Sequence, residues 1–253
     1  MLLDKFNLAG KVAIVTGCDT GLGQGMALGL AQAGCSIAGI NMSEPCDTMA
    51  KMNEGGHNFL DIRADVSDTS LFDSHLDKVI REYGKVDILV NNAGIIRRQD
   101  AIEFTQKNWD DVMNVNIRAV FFLSQAVARQ FIKQGHGGKI VNVASMLSFQ
   151  GGVRVPSYTA SKSAVMGVTR LLANEWAKHN INVNAIAPGY MATNNTAALR
   201  ADEERSKEIL DRIPAGRWGA PEDVAAPAVF LASAAADYIN GYTIAVDGGW
   251  LAR

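Results

Sequence analysis

The sequence predicts an α/β fold in which a doubly wound parallel β-sheet is flanked by helices on both faces. Short β-branched runs alternate with longer amphipathic stretches along the whole chain, which is the rhythm of successive βαβ units. Most of the short runs are almost continuously hydrophobic, as strands buried on both faces must be. Because no shift in composition marks a linker, residues 1–253 are predicted to form a single domain.

Seven strands and five helices follow from these patterns. The strands are predicted at 12–16, 36–40, 58–62, 86–90, 139–144, 182–186 and 243–246, and the helices at 21–33, 69–83, 109–133, 158–179 and 221–234. The segment 189–219 is polar, has no regular pattern and follows the end of a strand. Long insertions at that position often cover a ligand, so we predict a substrate lid there, with a surface excursion as the alternative.

Composition counts against several classes of protein. The chain has 24 basic and 26 acidic residues, hence a net charge of −2, whereas proteins that bind nucleic acid or anionic membranes usually carry a basic surplus. No signal peptide and no apolar stretch of membrane-spanning length is predicted. The three cysteines, Cys18, Cys35 and Cys46, form no CxxC pattern, which indicates reduced thiols, no metal site and a cytoplasmic protein.

A glycine-rich turn joins the first predicted strand to the first helix. Glycines let the backbone approach a diphosphate closely, and a helix N-terminus offers free N–H groups to an anion. A tight turn with no ligand is the alternative, but the position after the first strand of a βαβ chain favours a nucleotide. The predicted cofactor contacts in this turn are Gly17, Asp19, Thr20, Gly21, Leu22 and Gly23.

The end of the second strand bears on the choice between NAD and NADP. Residues 40–44 contain no Arg or Lys that would bind a 2′-phosphate, and Thr20 adds no basic side chain from the turn. Asn41 is predicted to hydrogen-bond a ribose hydroxyl, in place of the carboxylate typical of NAD-binding proteins. The sequence therefore favours NAD as the cofactor.

Tyr158 and Lys162 are four residues apart in a predicted helix and share one face. A phenol has a pKa of about 10, so its phenolate costs about 4 kcal/mol at pH 7, and a nearby ammonium would reduce that cost. The spacing also arises by chance in chains of this composition. The spacing becomes informative together with Ser145, because Ser145 follows the end of a predicted strand and doubly wound sheets bind their ligands at strand ends.

Together these pieces resemble the motifs of the short-chain dehydrogenase/reductase family. The resemblance implies a Rossmann-type fold and transfer of a hydride between an alcohol or ketone and a nicotinamide cofactor. The matching pieces occur in family order and are Thr16-Gly17-x3-Gly21-x-Gly23, Asn91-Asn92-Ala93-Gly94, Asn116, Ser145, Tyr158-x3-Lys162 and Pro188-Gly189-x3-Thr193.

The family resemblance also implies a role for each matching position. Tyr158 would be the acid/base, Lys162 would lower the pKa of Tyr158 and hold the nicotinamide ribose, and Ser145 would position the reacting oxygen. Asn116 would anchor a water relay to Lys162. Further cofactor contacts are implied for Asp65 and Val66 at the adenine, Asn92, Ala93 and Gly94 at the ribose, and Ile186, Pro188, Gly189 and Thr193 at the carboxamide and diphosphate.

Two arginines near the predicted cleft indicate the class of substrate. Arg98 and Arg154 could bind a carboxylate, and Gln150 could bind hydroxyls. The alternative is that the arginines are solvated or form salt bridges between subunits. We therefore expect Ser145, Tyr158, Arg98, Gln150 and Arg154 to surround a small polyhydroxy acid.

Five stretches longer than the family motifs lie at 16–25, 145–152, 154–158, 188–195 and 246–253. They resemble members of the family that act on sugar acids in bacterial breakdown of pectin or related uronates, and this resemblance implies a homotetramer. The alternatives are a related sugar-acid dehydrogenase such as gluconate 5-dehydrogenase, a 3-oxoacyl-carrier-protein reductase, or an NAD-binding regulatory protein without turnover. A regulatory protein would be expected to lack the Ser145, Tyr158 and Lys162 set, which this chain retains.

Overall fold

The computed structural model describes all 253 residues and contains one seven-stranded sheet with strand order β3-β2-β1-β4-β5-β6-β7. Every neighbouring pair of strands is parallel, which confirms the predicted fold class. The strand order reverses between β1 and β4, where doubly wound sheets open a crevice for ligands. The strands are β1 Val12–Thr16, β2 Ser36–Asn41, β3 Phe59–Arg63, β4 Ile88–Asn91, β5 Gly138–Val143, β6 Ile181–Pro188 and β7 Thr243–Val246.

Helices cover both faces of the sheet because its central strands are apolar on both sides. In β1, Ala13 and Val15 belong to one hydrophobic cluster, which includes residues of α1 and α9, while Val12 and Ile14 belong to another, with α3, α5 and α6. The helices are α1 Gly21–Gln32, α2 Cys46–Glu54, α3 Phe72–Tyr83, α4 Gln106–Met113, α5 Ala119–Gln134, α6 Pro156–Trp176, α7 Ala197–Ala201, α8 Glu203–Arg212 and α9 Pro221–Ala232.

The structure corrects several predicted bounds. Strands β1 and β7 have the predicted bounds. In the other strands one or both ends shift by one or two residues, since hydrogen bonding to neighbouring strands and not hydropathy decides where pairing stops. The helix predicted at 109–133 consists of α4, a π-helical turn at Asn114–Arg118, and α5. The missed helix α2 is mostly polar and buries only Thr48 and Met52, so its hydrophobic pattern was too weak to detect.

The segment 189–219 contains two helices, α7 and α8, that the sequence did not predict. Helix α8 buries Ile209 in a small cluster with Met146 and Trp250, and a bridge between Met191 and Gly219 closes the base of the segment. The segment lies beside the carboxyl ends of the strands, but its role as a lid stays a prediction. No helix in the structure has both the length and the apolar character that crossing a membrane requires.

Candidate active site

A cleft of about 330 Å³ lies at the carboxyl ends of the strands. A larger cleft of about 830 Å³ lies elsewhere, lined by residues such as Lys11, Asp87 and Lys139, but it contains none of the chemically informative residues. We therefore place the site in the smaller cleft. Of the predicted site residues, those that line it are Gly17, Asp19, Thr20, Gly21, Leu22, Gly23, Asp65, Val66, Asn92, Ala93, Gly94, Tyr158, Lys162 and Thr193.

The glycine turn has the form that a dinucleotide diphosphate requires. Gly17 and Gly21 have φ angles of +63° and +57°, which residues other than glycine rarely adopt. A β-carbon at Gly23 would lie 2.0 Å from the Gly17 carbonyl oxygen. Thr20, at the N-cap of α1, makes no side-chain capping bond and the first turn carries no acidic residue. The free N–H groups of α1 are thus available to an anion.

The segment after β4 holds this turn in place. Asn92 Nδ2 donates hydrogen bonds to the carbonyl oxygens of Thr16 and Gly17, at 2.9 and 2.8 Å. The hydroxyl oxygen of Thr16 in turn accepts from the backbone N–H groups of Asn92 and Ala93. Asn92 therefore has a structural task in addition to lining the cleft.

Asn41 does not face the cleft, which corrects the predicted ribose contact. Its side chain is only 1% exposed. Asn41 Oδ1 accepts from the backbone N–H of Cys18 at 2.8 Å, and Nδ2 donates to Asp61 at 3.1 Å. Both ends of the amide are thus committed to holding the glycine turn against β2 and β3.

Tyr158 and Lys162 lie one turn apart on α6 and both line the cleft, where Tyr158 is partly exposed and Lys162 is buried. Lys162 Nζ lies 5.8 Å from the centroid of the Tyr158 ring and donates to the Val143 carbonyl oxygen at 2.6 Å. Burial raises the pKa of Tyr158, while the side-chain hydrogen bond with Ser145 and the positive charge of Arg98 lower it. Burial also lowers the pKa of Lys162 to about 8.

Two groups lower the pKa of Tyr158, Ser145 and Arg98. The Lys162 ammonium donates to a main-chain carbonyl, and burial lowers its own pKa. The expected effect of Lys162 on the pKa of Tyr158 stays a prediction. Ser145 Oγ also accepts from the backbone N–H of Leu147 at 3.1 Å, which positions the hydroxyl at the end of β5.

Asn116 is completely buried within the π-helical turn. Its Oδ1 accepts from the backbone N–H of Ile95, and its Nδ2 donates to the Ile95 carbonyl and to Ser161. A β-carbon at Gly94 would lie 3.3 Å from Asn116 Oδ1 and 3.6 Å from Lys162 Nζ, so the two groups flank one glycine. Asn116 thus clamps the segment that follows β4, and its predicted water relay stays a prediction.

The two candidate arginines occupy different surroundings. Arg98 donates to the carbonyl oxygen of Asn195, a cleft residue, at 3.2 Å and acts electrostatically on Tyr158. Arg154 forms an exposed salt bridge with Asp100 at 2.9 Å, and neither arginine belongs to the cleft lining. Of the two, Arg98 is the one that contacts a cleft residue.

Other predicted contacts lie outside the cleft lining. Gln150 is half-buried on the segment between Ser145 and α6. Pro188 and Ile186 are buried in β6, and Gly189 packs so closely on Asp247 that a β-carbon there would lie 2.6 Å from its Cα. The cleft thus rests on packed residues outside its lining, which include Ile186, Pro188 and Gly189. Cleft residues that the sequence did not predict are Ile40, Met42, Ser43, Ala64, Ile95, Val115, Val143, Asn194 and Asn195.

We predict that Lys162→Met changes stability in a pH-dependent way. In the folded protein the pKa of Lys162 is about 8 against an ordinary 10.5. The cost of burying its ammonium in the native state is therefore present in full below pH 8. The difference corresponds to about 3 kcal/mol, offset in part by the lost bond to Val143, about 1–2 kcal/mol. The variant should therefore gain stability at pH 7, and the gain should shrink as pH rises from 8 towards 10.5.

Urea unfolding of both proteins at several pH values measures this difference. Lys178→Met, at an exposed lysine, is the control. A stability difference for Lys162→Met that does not change between pH 7 and pH 10 would contradict the prediction.

The fold and the Ser145, Tyr158 and Lys162 site define a nicotinamide-dependent oxidoreductase that acts on a CH–OH group. The chain belongs to the short-chain dehydrogenase/reductase family. Residues 17–251 match the family model described as enoyl-(acyl carrier protein) reductase.

Within this family, named relatives match the whole chain. It is 75% identical to the 2-dehydro-3-deoxy-D-gluconate 5-dehydrogenase of Dickeya dadantii (strain 3937) and 71% identical to that of Escherichia coli (strain K12), over 100% of each chain. A crystal structure from Agrobacterium tumefaciens, provisionally described as a 2-deoxy-D-gluconate 3-dehydrogenase with bound NADP, is 55% identical. It superposes with a TM-score of 0.94, covering 99% of this chain and 100% of the other.

Proposed function

We propose that the protein interconverts 2-dehydro-3-deoxy-D-gluconate and 3-deoxy-D-glycero-2,5-hexodiulosonate with NAD(H). The observation that carries the proposal is that Tyr158 and the buried Lys162 line one cleft, while the guanidinium of Arg98, outside the lining, acts electrostatically on the Tyr158 phenol. A sugar acid carries both groups that such a site would bind, a carbinol oxygen for Tyr158 and a carboxylate for Arg98. Full-length identity to relatives of that name supports the particular substrate.

In this mechanism the protein positions the substrate and moves a proton. The nicotinamide supplies the hydride acceptor for oxidation and the hydride donor for reduction. Tyr158 takes the proton from the carbinol oxygen during oxidation and returns it during reduction, and the Ser145 hydroxyl hydrogen-bonds the same oxygen. Lys162 holds the ribose beside the reacting carbon, while Arg98 fixes the far end of the substrate.

The cofactor assignment and the setting are parts of the same proposal. Neither the turn nor the cleft lining contributes an Arg or Lys for a 2′-phosphate, apart from Lys162 at the catalytic end, which supports NAD. We infer a cytoplasmic enzyme of bacterial pectin or uronate breakdown, consistent with three free cysteines. Two apolar side chains, Phe122 on α5 and Leu171 on α6, are 40% and 47% exposed, and covering them supports assembly as a homotetramer.

The assignment of Arg98 predicts a selective loss of substrate binding. Arg98→Ala should lower kcat/KM about 10- to 150-fold, because it removes a charge-assisted hydrogen bond of about 1.5–3 kcal/mol. The loss should appear mainly in KM if the contact is equally strong in the ground and transition states. Arg154→Ala is the matched control, since it removes a guanidinium that is paired with Asp100. Steady-state kinetics showing equal losses in both variants would contradict the assignment.

The substrate proposal is tested by following NAD reduction by absorbance with 2-dehydro-3-deoxy-D-gluconate. Gluconate replaces this substrate in one control, and NADP replaces NAD in another. Turnover with the deoxy keto acid and none with gluconate is the expected result. Turnover with gluconate alone would retain the family and the acid/base residues but replace the substrate by that of a gluconate 5-dehydrogenase.

A further inference from the structure

The adenosine end of the cleft differs from the usual arrangement in which the last side chain of the second strand reads the ribose. That side chain here is Asn41, and its amide is committed to Cys18 and Asp61. The residues that line the cleft beside it are Met42 and Ser43, together with Asp19 from the glycine turn. The Met42 side chain cannot hydrogen-bond a ribose hydroxyl, so the side chains left to bind that hydroxyl are Ser43 and Asp19.

Asp19 is held in position from two directions. Ser43 Oγ donates a hydrogen bond to the Asp19 carboxylate. The main-chain carbonyl of Asp19 accepts from Thr48 Oγ1 at 3.2 Å, and the same hydroxyl bonds the Cys18 carbonyl at 2.7 Å. Because Thr48 is fully buried at the start of α2, helix α2 anchors the turn that presents the carboxylate to the cleft.

We infer that Asp19 determines the choice between the two nicotinamide dinucleotides, an inference that rests on the proposed preference for NAD. Its carboxylate can accept hydrogen bonds from ribose hydroxyls, and these charge-assisted bonds are the stronger kind. A 2′-phosphate at the same place would put a second group of negative charge beside it, and like charges at such distances repel. The glycine turn thus supplies, through Asp19, the carboxylate that is absent at the end of β2, where Asn41 stands.

Arg63 is the basic group that could oppose this effect. It lies at the end of β3, opposite Asn41 in the strand register. Its guanidinium donates to the Met42 carbonyl oxygen at 3.2 Å, and it does not line the cleft. In this arrangement Arg63 supports the loop after β2. The charged side chain beside the ribose is then the negative Asp19 carboxylate and not the positive Arg63 guanidinium.

The test measures binding of NADH and NADPH separately by isothermal titration calorimetry, independently of turnover. The wild-type protein should bind NADH more tightly. In Asp19→Asn the ratio of the two dissociation constants should shift towards NADPH by about tenfold or more, a difference of 1.4 kcal/mol or more. Asp19→Glu keeps the charge and should still discriminate against NADPH, even if NADH binds more weakly. Asp47→Asn removes a nearby exposed carboxylate outside the cleft lining and should leave the ratio unchanged.

The outcomes separate the inference from the cofactor proposal. A wild-type preference for NADH that persists unchanged in Asp19→Asn would overturn the role of Asp19 and leave the cofactor proposal intact. Wild-type binding of NADPH at least as tight as that of NADH would overturn both, and would indicate that Arg63 leaves Met42 to bind the phosphate. A shift of equal size in Asp47→Asn would attribute the effect to general surface charge and also overturn the inference.

Discussion

Replacing Tyr158 by Phe is expected to abolish turnover while leaving the affinity for NADH close to that of the wild-type protein. The substitution removes only the phenolic hydroxyl, so the ring keeps its place on α6 near Lys162. Without that hydroxyl no group occupies the position from which a proton reaches the carbinol oxygen. Because positioned acid/base groups contribute about 10²- to 10⁴-fold, kcat should fall by at least about a hundredfold, measured as NAD reduction under saturating substrate.

Tyr238→Phe is the matched control for this experiment, since that phenol is fully exposed and does not line the cleft. Binding of NADH, followed by titration calorimetry, separates a catalytic loss from a structural one. If Tyr158→Phe retained a tenth of the wild-type turnover, Tyr158 would not be the acid/base.

Gly23→Ala should produce the second large effect, a loss of both cofactor binding and stability. The added methyl group would lie 2.0 Å from the Gly17 carbonyl oxygen and 2.4 Å from Asn92 Nδ2. These are the two groups whose hydrogen bond closes the turn. Relieving the overlap must separate α1 from the segment after β4, at a cost of about 1–3 kcal/mol or more. The dissociation constant for NADH should therefore rise more than about tenfold.

Gly167→Ala provides the control, because a β-carbon at that exposed position in α6 meets nothing within 4 Å. Thermal unfolding with and without NADH measures both effects at once. An unchanged melting temperature together with normal stabilisation by NADH would show that the turn tolerates a side chain at Gly23.

The parts of the fold that the sequence predicted well are those in which a local pattern suffices. Strand β1 is buried on both faces, so it appears as an uninterrupted apolar run. The glycines of the turn are predictable because no other residue fits at Gly23. Helix α2, in contrast, depends on contacts from outside, such as those between Gln24 and both Asp47 and Thr48, and its own pattern is weak.

The remaining errors at the site concern the direction in which a side chain points. Asn41 occupies the expected place in sequence, but its amide is drawn inward by the Cys18 N–H and Asp61. The sequence alone does not rank Arg98 above Arg154, whereas in the structure Arg98 donates to Asn195 and Arg154 pairs with Asp100. Such differences depend on partners distant in sequence, which one-dimensional patterns do not contain.

The strand order also has a consequence for how the chain acquires its structure during synthesis. Strand β1 pairs with β2 on one side and with β4 on the other, although two strands and three helices lie between β1 and β4 in the chain. Until β4 leaves the ribosome, strand β1, which is buried along its whole length in the finished fold, therefore remains an open edge that other chains can join. Parallel pairing over such separations is slow, so we expect the ribosome-bound N-terminal half to be the stage at which chaperones engage this protein.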